Sequence, residues 1–196
     1  MSFVKQIPNA LTTSRFFVAA YLLGDCLDGA MSRLFVPLFV YAGVSDVLDG
    51  ILARALKAES QRGCVLDAYA DIALYGGAVI YVWFLYPLVI KAHILWLAAV
   101  LALLFSSWGY SLIKFKRLTS YHTYASKAWA FSIYAALCVL FVYDSALLLV
   151  PMFALGICAN TEEILITRTM PYWKGDIRGL RMALRLSRSY EKPAYF

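Results

Sequence analysis

Six long apolar stretches alternate with short polar segments along the chain, and this pattern predicts an all-α integral membrane protein. A helix needs roughly 20 mostly apolar residues to cross a bilayer. The predicted spans cover residues 11–30, 34–56, 64–88, 92–113, 126–145 and 146–168. The last two are separated only by the stretch around Tyr143, Asp144 and Ser145, which indicates a tight helical hairpin. We expect a single membrane domain over residues 1–196.

The segment after Pro171 has a different pattern. Arginines recur at helical spacing at positions 178, 181, 185 and 188, and apolar residues recur on an adjoining face at positions 177, 180 and 184. This predicts a short amphipathic helix within residues 172–190. Such a helix either lies on anionic lipid headgroups or presents an ordinary solvated charged face.

Composition supports a membrane protein and indicates its orientation. The chain is 62% hydrophobic and only 15% charged, which excludes an ordinary soluble domain. With both termini on one side, that side receives every Lys and Arg except Arg33 and Lys91, and the positive-inside rule makes it cytoplasmic. We therefore expect a multi-pass protein of the inner cell membrane, with no nucleic-acid partner. The four cysteines are dispersed and are expected to be small core residues.

Four carboxylates interrupt the second and third spans, where charge is costly. They belong to the pattern D-x2-D-G-x2-A-R-x8-G-x3-D-x3-D, formed by Asp46, Asp49, Gly50, Ala53, Arg54, Gly63, Asp67 and Asp71. Residues three, four and seven apart share one helix face, so each span presents its carboxylates together. If the two spans form a hairpin, their carboxylates come close together and repel each other unless cations neutralise the charge. We expect two Mg²⁺ or Mn²⁺ ions, since the ligands are hard oxygens.

The neighbouring residues suit a phosphate-bearing ligand. Gly50 and Ala53 leave room for a flat group to approach the helix backbone, although a mid-helix glycine costs about 1 kcal/mol relative to alanine. Arg54 adds a guanidinium fork that matches phosphate oxygens. The predicted site therefore combines metal ligands with an anion-binding residue.

This pattern matches the signature of the CDP-alcohol phosphotransferase family at every specified position. A second segment, Ile7-Pro8-Asn9-Ala10-Leu11-Thr12-Thr13-Ser14-Arg15, resembles the I-P-N-x-L-T-x-x-R opening of phosphatidylglycerophosphate synthases and related phosphatidylinositol-phosphate synthases. The resemblance implies that an acceptor hydroxyl attacks the lipid-side phosphorus of CDP-diacylglycerol and that CMP leaves. It also implies a homodimer.

The resemblance further implies roles for individual residues. The two metals would be bound by Asp46, Asp49, Asp67 and Asp71. The CDP-lipid would be contacted by Asn9, Thr12, Gly50, Ala53, Arg54, Ser60 and Gly63. Asp71 would also be the base for the acceptor hydroxyl. A metal-bound carboxylate is a weak base, however, so Asp71 either removes the proton or only positions the hydroxyl.

The acceptor is less sharply defined by the sequence. The opening segment favours glycerol 3-phosphate, and a phosphorylated acceptor needs cations; the candidates are Arg117, Lys127 and Arg168. Lys127 has an alternative interpretation as a snorkelling membrane anchor. The fifth-span region departs from typical phosphatidylglycerophosphate synthases, which keeps inositol phosphate, inositol, serine and choline as alternatives. Glu162 and Glu163 either pair with Arg168 or Lys127, or face a cationic acceptor.

Two other classes of function compete with a lipid enzyme. A cation transporter could use the carboxylates as an ion site, but its pathway should continue across the bilayer, and the first, fourth and fifth spans have no ionisable residue deep inside. A non-catalytic membrane protein could pair the aspartates with Arg54 and Arg62. Such pairing leaves Gly50, Ala53 and the spacing of the motif unexplained.

Overall fold

The computed structural model describes residues 7–25, 27, 31–56, 61–118, 121, 123–175 and 177–190. These residues form seven α-helices and no β-strand, which confirms the all-α class. In chain order the helices are α1 (Ile7–Asp25), α2 (Phe35–Ala55), α3 (Gln61–Leu85), α4 (Pro87–Phe115), α5 (Tyr124–Tyr143), α6 (Leu149–Thr169) and α7 (Leu180–Arg188).

Several of these helices are suited to a membrane. Among the described residues, four segments are long and apolar enough to cross a bilayer: Phe35–Ala53 in α2, and the whole of α4, α5 and α6. Helix α3 adds a shorter apolar segment, Tyr69–Leu85. The helices therefore indicate a multi-pass membrane protein, and the count of six spans stays a prediction.

Two prolines explain where observed helix boundaries differ from predicted ones. Pro8 lies in the first turn of α1, which begins at Ile7 rather than at residue 11. Pro87 is the first residue of α4, so that helix begins before residue 92 and α3 ends at Leu85 rather than at residue 88. Proline is tolerated in a first turn, where its missing N–H would have no helical partner, and it disfavours helix in the residue before it.

The chain divides after Ala92 into two compact units. In the first unit, α1 packs against both α2 and α3. The apolar core of this packing includes Val18, Ala19, Leu22, Phe35, Phe39, Ala42, Leu74, Ala78 and Tyr81. Within this core, Phe35 stacks on Tyr81 with the ring centroids 3.7 Å apart.

The buried faces of the first unit continue from apolar residues into polar ones. On α1, Thr12 and Arg15 are buried on the same face as Leu22, which lies seven residues after Arg15. On α2, Asp49 is buried seven residues after Ala42. The polar residues are therefore part of the contact between helices, and this arrangement creates the candidate site.

In the second unit, α5 and α6 form the expected short hairpin. Helix α5 ends at Tyr143, and Asp144 adopts a left-handed conformation with φ of 52° before α6 begins at Leu149. The two helices approach closely at Gly156, where a Cβ atom would lie 2.6 Å from the indole Nε1 of Trp129. Glycine is therefore needed there for packing.

A small apolar core joins the end of α6 to α7 in the second unit. Its buried members are Tyr121, Ile166, Met170, Ile177 and Ala183. The Leu180 and Leu186 side chains of α7 pack against this core, whereas Arg181, Arg185 and Arg188 are exposed. Helix α7 therefore contacts the second unit through apolar side chains.

Candidate active site

A single arginine brings three of the motif carboxylates together. Arg15 on α1 donates from Nη1 to Asp46 Oδ1 at 2.5 Å and to Asp71 Oδ1 at 2.7 Å. Its Nη2 donates to Asp49 Oδ2 at 2.8 Å. The Arg15 side chain is fully buried, Asp49 is nearly so, and the Asp46 and Asp71 side chains are 31% and 38% exposed. The cluster therefore has a buried interior and an open edge.

Thr12 supports the most buried of these carboxylates. Its hydroxyl lies 2.7 Å from Asp49 Oδ2 and 3.0 Å from the carbonyl oxygen of Pro8, one turn earlier. A hydroxyl has one proton to donate, and the shorter bond to a charged acceptor is the stronger of the two. Asp49 Oδ2 thus accepts hydrogen bonds from both Thr12 and Arg15, which orients this carboxylate within the helix interface.

The charge balance of the cluster favours additional cations. Among the side chains that the structure describes at this point, three carboxylates and one guanidinium carry a formal charge of −2, and they come from α1, α2 and α3. Carboxylate oxygens are the ligands that Mg²⁺ and Mn²⁺ prefer. Here they come from α2 and α3 and face one common cation, Arg15. The residues therefore fit the expected ions chemically. Within the described ranges, however, no group of three or more acidic, His or Cys side chains is arranged to hold a metal, and the carboxylates bind Arg15 instead.

The other predicted CDP-lipid residues are described to different extents. Gly50, Ala53 and Gly63 are partly buried in α2 and α3, and Asn9 is exposed in the first turn of α1. Ser60 and the side chains of Arg54 and Asp67 lie outside what the structure describes. Of the predicted site residues, the structure thus brings Thr12, Asp46, Asp49 and Asp71 together.

The predicted acceptor residues all lie in the second unit. Arg117 stacks over the indole of Trp173, with its Cζ atom 5.3 Å from the ring centroid. Lys127 and Arg168 are exposed. A fourth cation, Lys114, was not predicted: its Nζ donates to the carbonyl oxygens of Thr167 and Arg168 at 2.8 and 2.9 Å, where it satisfies the end of α6.

The two glutamates of α6 have partners other than the expected Arg168 and Lys127. Glu163 accepts a hydrogen bond from Ser107 at 3.3 Å, and Glu162 accepts one from the backbone N–H of Leu180 at 3.1 Å. The second contact satisfies an N–H at the start of α7. Both carboxylates therefore have structural partners within the second unit.

Tyr121 lies between α4 and α5 in sequence, and its hydroxyl contacts Thr167 of α6. Its hydroxyl accepts a hydrogen bond from Thr167 at 3.3 Å, and the residue is only 4% exposed. Burial is the main reason that the pKa of Tyr121 is raised; the charge of Glu163 adds to this, and the Thr167 hydrogen bond opposes it. The phenol therefore stays neutral at physiological pH.

Arg15 is the site residue that the sequence interpretation missed. The sequence assigns it only to the cytoplasmic cations and to the opening segment. A usable signal was present, because Arg15 follows Thr12 by three residues inside an apolar run, and an ionisable residue in such a run points to a functional partner. The pattern could not name that partner, since Arg15 and its three carboxylates are at least 31 residues apart in sequence.

Comparisons with known proteins identify the family of the chain. Residues 5–166 match the family model of CDP-alcohol phosphatidyltransferases. A protein of Drosophila melanogaster named probable cardiolipin synthase (CMP-forming) is 36% identical over 78 residues, which are 39% of this chain and 24% of that protein. A protein of Rickettsia felis named CDP-diacylglycerol--glycerol-3-phosphate 3-phosphatidyltransferase is 33% identical over 78 residues, or 39% of this chain and 43% of that protein.

These two alignments cover less than half of each relative, so they support the family rather than a specific activity. No solved structure matches the chain. The family model, in contrast, covers α1 to α5 and most of α6, including the Arg15 cluster. Family members use a CDP-alcohol donor and an alcohol acceptor and are generally metal-dependent. Because this family model matches most of the chain, the protein belongs to the CDP-alcohol phosphatidyltransferase family of membrane enzymes.

Proposed function

We propose that this protein transfers the phosphatidyl group of CDP-diacylglycerol to a small polar alcohol and releases CMP, a step of phospholipid biosynthesis. The observation that supports this most is the convergence of Asp46, Asp49 and Asp71 from two helices on one centre. The sequence motif around them, which resembles the signature of this family, supports a CDP-linked donor. The partly exposed edge of the cluster gives a ligand access to Asp46 and Asp71.

The chain's own residues have distinct roles in this reaction. The two divalent ions would be held by Asp46, Asp49, Asp67 and Asp71, and when bound they supply charge compensation for the diphosphate and the departing CMP. Thr12 orients Asp49. Arg54, with Asn9, Gly50, Ala53, Ser60 and Gly63, contacts the CDP-lipid.

Asp71 faces the acceptor hydroxyl in this proposal. The oxygen of that hydroxyl forms a bond to the lipid-side phosphorus while the bond from this phosphorus to the CMP oxygen breaks. The hydroxyl proton passes to Asp71 or, if that carboxylate only positions the alcohol, to water. An asparagine at residue 71 distinguishes the two cases, because its amide can position a hydroxyl but cannot accept the proton.

Glycerol 3-phosphate is the proposed acceptor, and inositol phosphate, inositol, serine and choline are the alternatives. The opening segment around Thr12 supports the first choice. Arg117, Lys127 and Arg168 are the proposed phosphate-binding cations, and the exposure of Lys127 and Arg168 leaves their charges accessible.

The proposed setting is the inner cell membrane, with six spans in one domain, both termini and the active site in the cytoplasm, and a homodimer as the assembly. The distribution of cationic residues supports the orientation. Helix α7 is proposed to lie on the membrane surface, because its exposed arginines suit anionic headgroups while Ala183 is buried against the protein.

A non-catalytic membrane protein is the second candidate, and one observation favours it. The three carboxylates already have a cationic partner in Arg15. The side chains of Arg54 and Arg62, which are expected to fill such a role, lie outside what the structure describes. A catalytic and a purely structural cluster differ in whether they turn over substrate.

An acceptor screen tests the proposal. The purified protein is incubated with CDP-diacylglycerol, Mg²⁺ or Mn²⁺, and one acceptor at a time, and CMP release and the mass of the lipid product are measured. We expect metal-dependent CMP release with a glycerol 3-phosphate product. A product with another headgroup would correct the acceptor alone. Absence of CMP release with all five acceptors would support the non-catalytic alternative.

A further inference from the structure

Arg15 has an unusual position for a cation in an apolar helix. Its side chain is fully buried, yet it touches carboxylates from both neighbouring helices at 2.5–2.8 Å. Removing a guanidinium from water is costly unless its hydrogen bonds are replaced. Three charge-assisted bonds from Nη1 and Nη2 provide part of that replacement, so the burial of Arg15 and the convergence of the carboxylates support each other.

The same oxygens cannot serve Arg15 and divalent cations equally well. Mg²⁺ and Mn²⁺ bind carboxylate oxygens at about 2.1 Å and demand a definite geometry. Arg15 holds one oxygen each of Asp46, Asp49 and Asp71, and the positive charges of a guanidinium and a divalent ion repel each other strongly at such short range. Each carboxylate keeps a second oxygen that Arg15 does not bind in these contacts, but a metal ion there is still opposed by the nearby guanidinium charge.

We infer that Arg15 is an internal counter-ion of the active centre: it holds Asp46, Asp49 and Asp71 together when divalent cations are absent, and it competes with those cations for the carboxylates. This inference rests on the proposed metal-binding role of the aspartates. Arg15 is then a positioning residue, and its competition keeps metal affinity below the level that the carboxylates alone would give.

Direct metal binding tests the inference without relying on turnover. The full chain in detergent is freed of metal with EDTA, and Mn²⁺ binding is followed by electron paramagnetic resonance for the wild type, Arg15→Gln and Arg15→Lys. Thermal unfolding is measured with and without Mn²⁺. Arg33→Gln is the matched control, because Arg33 is an exposed arginine that precedes α2.

We expect Arg15→Gln to bind Mn²⁺ at least about tenfold more tightly, since a nearby positive charge has been removed. Its unfolding midpoint should fall without Mn²⁺ and recover with it. Arg15→Lys should lie between this variant and the wild type, because its ammonium keeps the charge but lacks the fork that reaches three carboxylates. Arg33→Gln should match the wild type.

Other results would overturn the inference in distinguishable ways. Unchanged or weaker Mn²⁺ binding by Arg15→Gln, with normal binding by the wild type, would refute the competition and leave the proposed function intact. If neither variant folds even in Mn²⁺, the metal cannot replace the guanidinium and the inference also fails. No Mn²⁺ binding by any of the proteins would refute both the competition and the proposed metal site.

Discussion

Thr12 and Thr13 form a matched pair that tests whether the hydrogen bond to Asp49 contributes to catalysis. The Thr12 hydroxyl is buried and lies 2.7 Å from Asp49 Oδ2. The Thr13 hydroxyl is exposed and donates only within its own helix, to the carbonyl oxygen of Asn9 at 2.7 Å. Valine has the shape of threonine without the hydroxyl, so Thr12→Val and Thr13→Val each remove one hydrogen bond from adjacent positions of α1.

The expected effect follows from the environment of each bond. A hydrogen bond to a charged group contributes about 1.5–3 kcal/mol. If Asp49 must be oriented in the transition state, loss of the Thr12 hydrogen bond lowers kcat/KM by roughly 10- to 100-fold. This follows because about 1.4 kcal/mol corresponds to a factor of ten. Thr13→Val should stay within about twofold of the wild type, because exposed bonds of this kind exchange readily with water.

The assay is metal-dependent CMP release from CDP-diacylglycerol at saturating acceptor, with the thermal unfolding midpoint measured in parallel. The parallel measurement separates lost orientation from lost folding. Equal kcat/KM values for Thr12→Val and Thr13→Val would refute the reasoning, because the two variants differ in the contact with Asp49.

Three further predictions concern catalysis and packing. Asp71→Asn should abolish CMP release while CDP-diacylglycerol binding, measured by titration, persists. Gly156→Ala should lower the unfolding midpoint, because the overlap with Trp129 costs about 1–3 kcal/mol whereas the gain in helix propensity is only about 1 kcal/mol. Gly109→Ala is the control: its added Cβ meets no described atom within 4 Å, so it should not lower the midpoint. Glu162→Ala should expose α7 to limited trypsin digestion, since it removes the acceptor at the start of that helix.

Each of these predictions has a clear opposing result. Turnover at the wild-type level in Asp71→Asn would remove that residue from any catalytic role. A Gly156→Ala variant as stable as Gly109→Ala would contradict the close helix contact. Unchanged trypsin cleavage in Glu162→Ala would show that α7 is held by its apolar face alone.

The faces of the helices could be predicted from sequence, but the partner of the carboxylates could not. Helical periodicity places Asp46 and Asp49 on one side of α2, and the structure agrees. The contact of α1 with both neighbouring helices brings Arg15 between them, and that contact depends on tertiary packing. Periodicity describes one helix at a time. The sequence therefore predicts metal cations beside these carboxylates, but it does not predict that Arg15 of the same chain contacts them.

The second unit shows the same division between local and tertiary information. The hairpin at Asp144 was predictable, because a short polar stretch between two apolar runs leaves room only for a turn. The contact of Lys114 with the last carbonyl groups of α6 was not, since 53 residues separate Lys114 from Thr167. The partner of Glu162 in the structure could not be predicted either, because it is the backbone N–H of Leu180, which lies 18 residues further along the chain.

CMP release from CDP-diacylglycerol by Asp49→Asn, compared with Asp144→Asn, tests the central claim most directly. Asn is well tolerated in the left-handed conformation of residue 144, so this control makes the same chemical change at the turn between α5 and α6. With Mg²⁺ and glycerol 3-phosphate, we predict wild-type release by Asp144→Asn and a loss of about 100-fold or more in Asp49→Asn. Equal release by the two variants would contradict the assignment of the Arg15 cluster as the active centre.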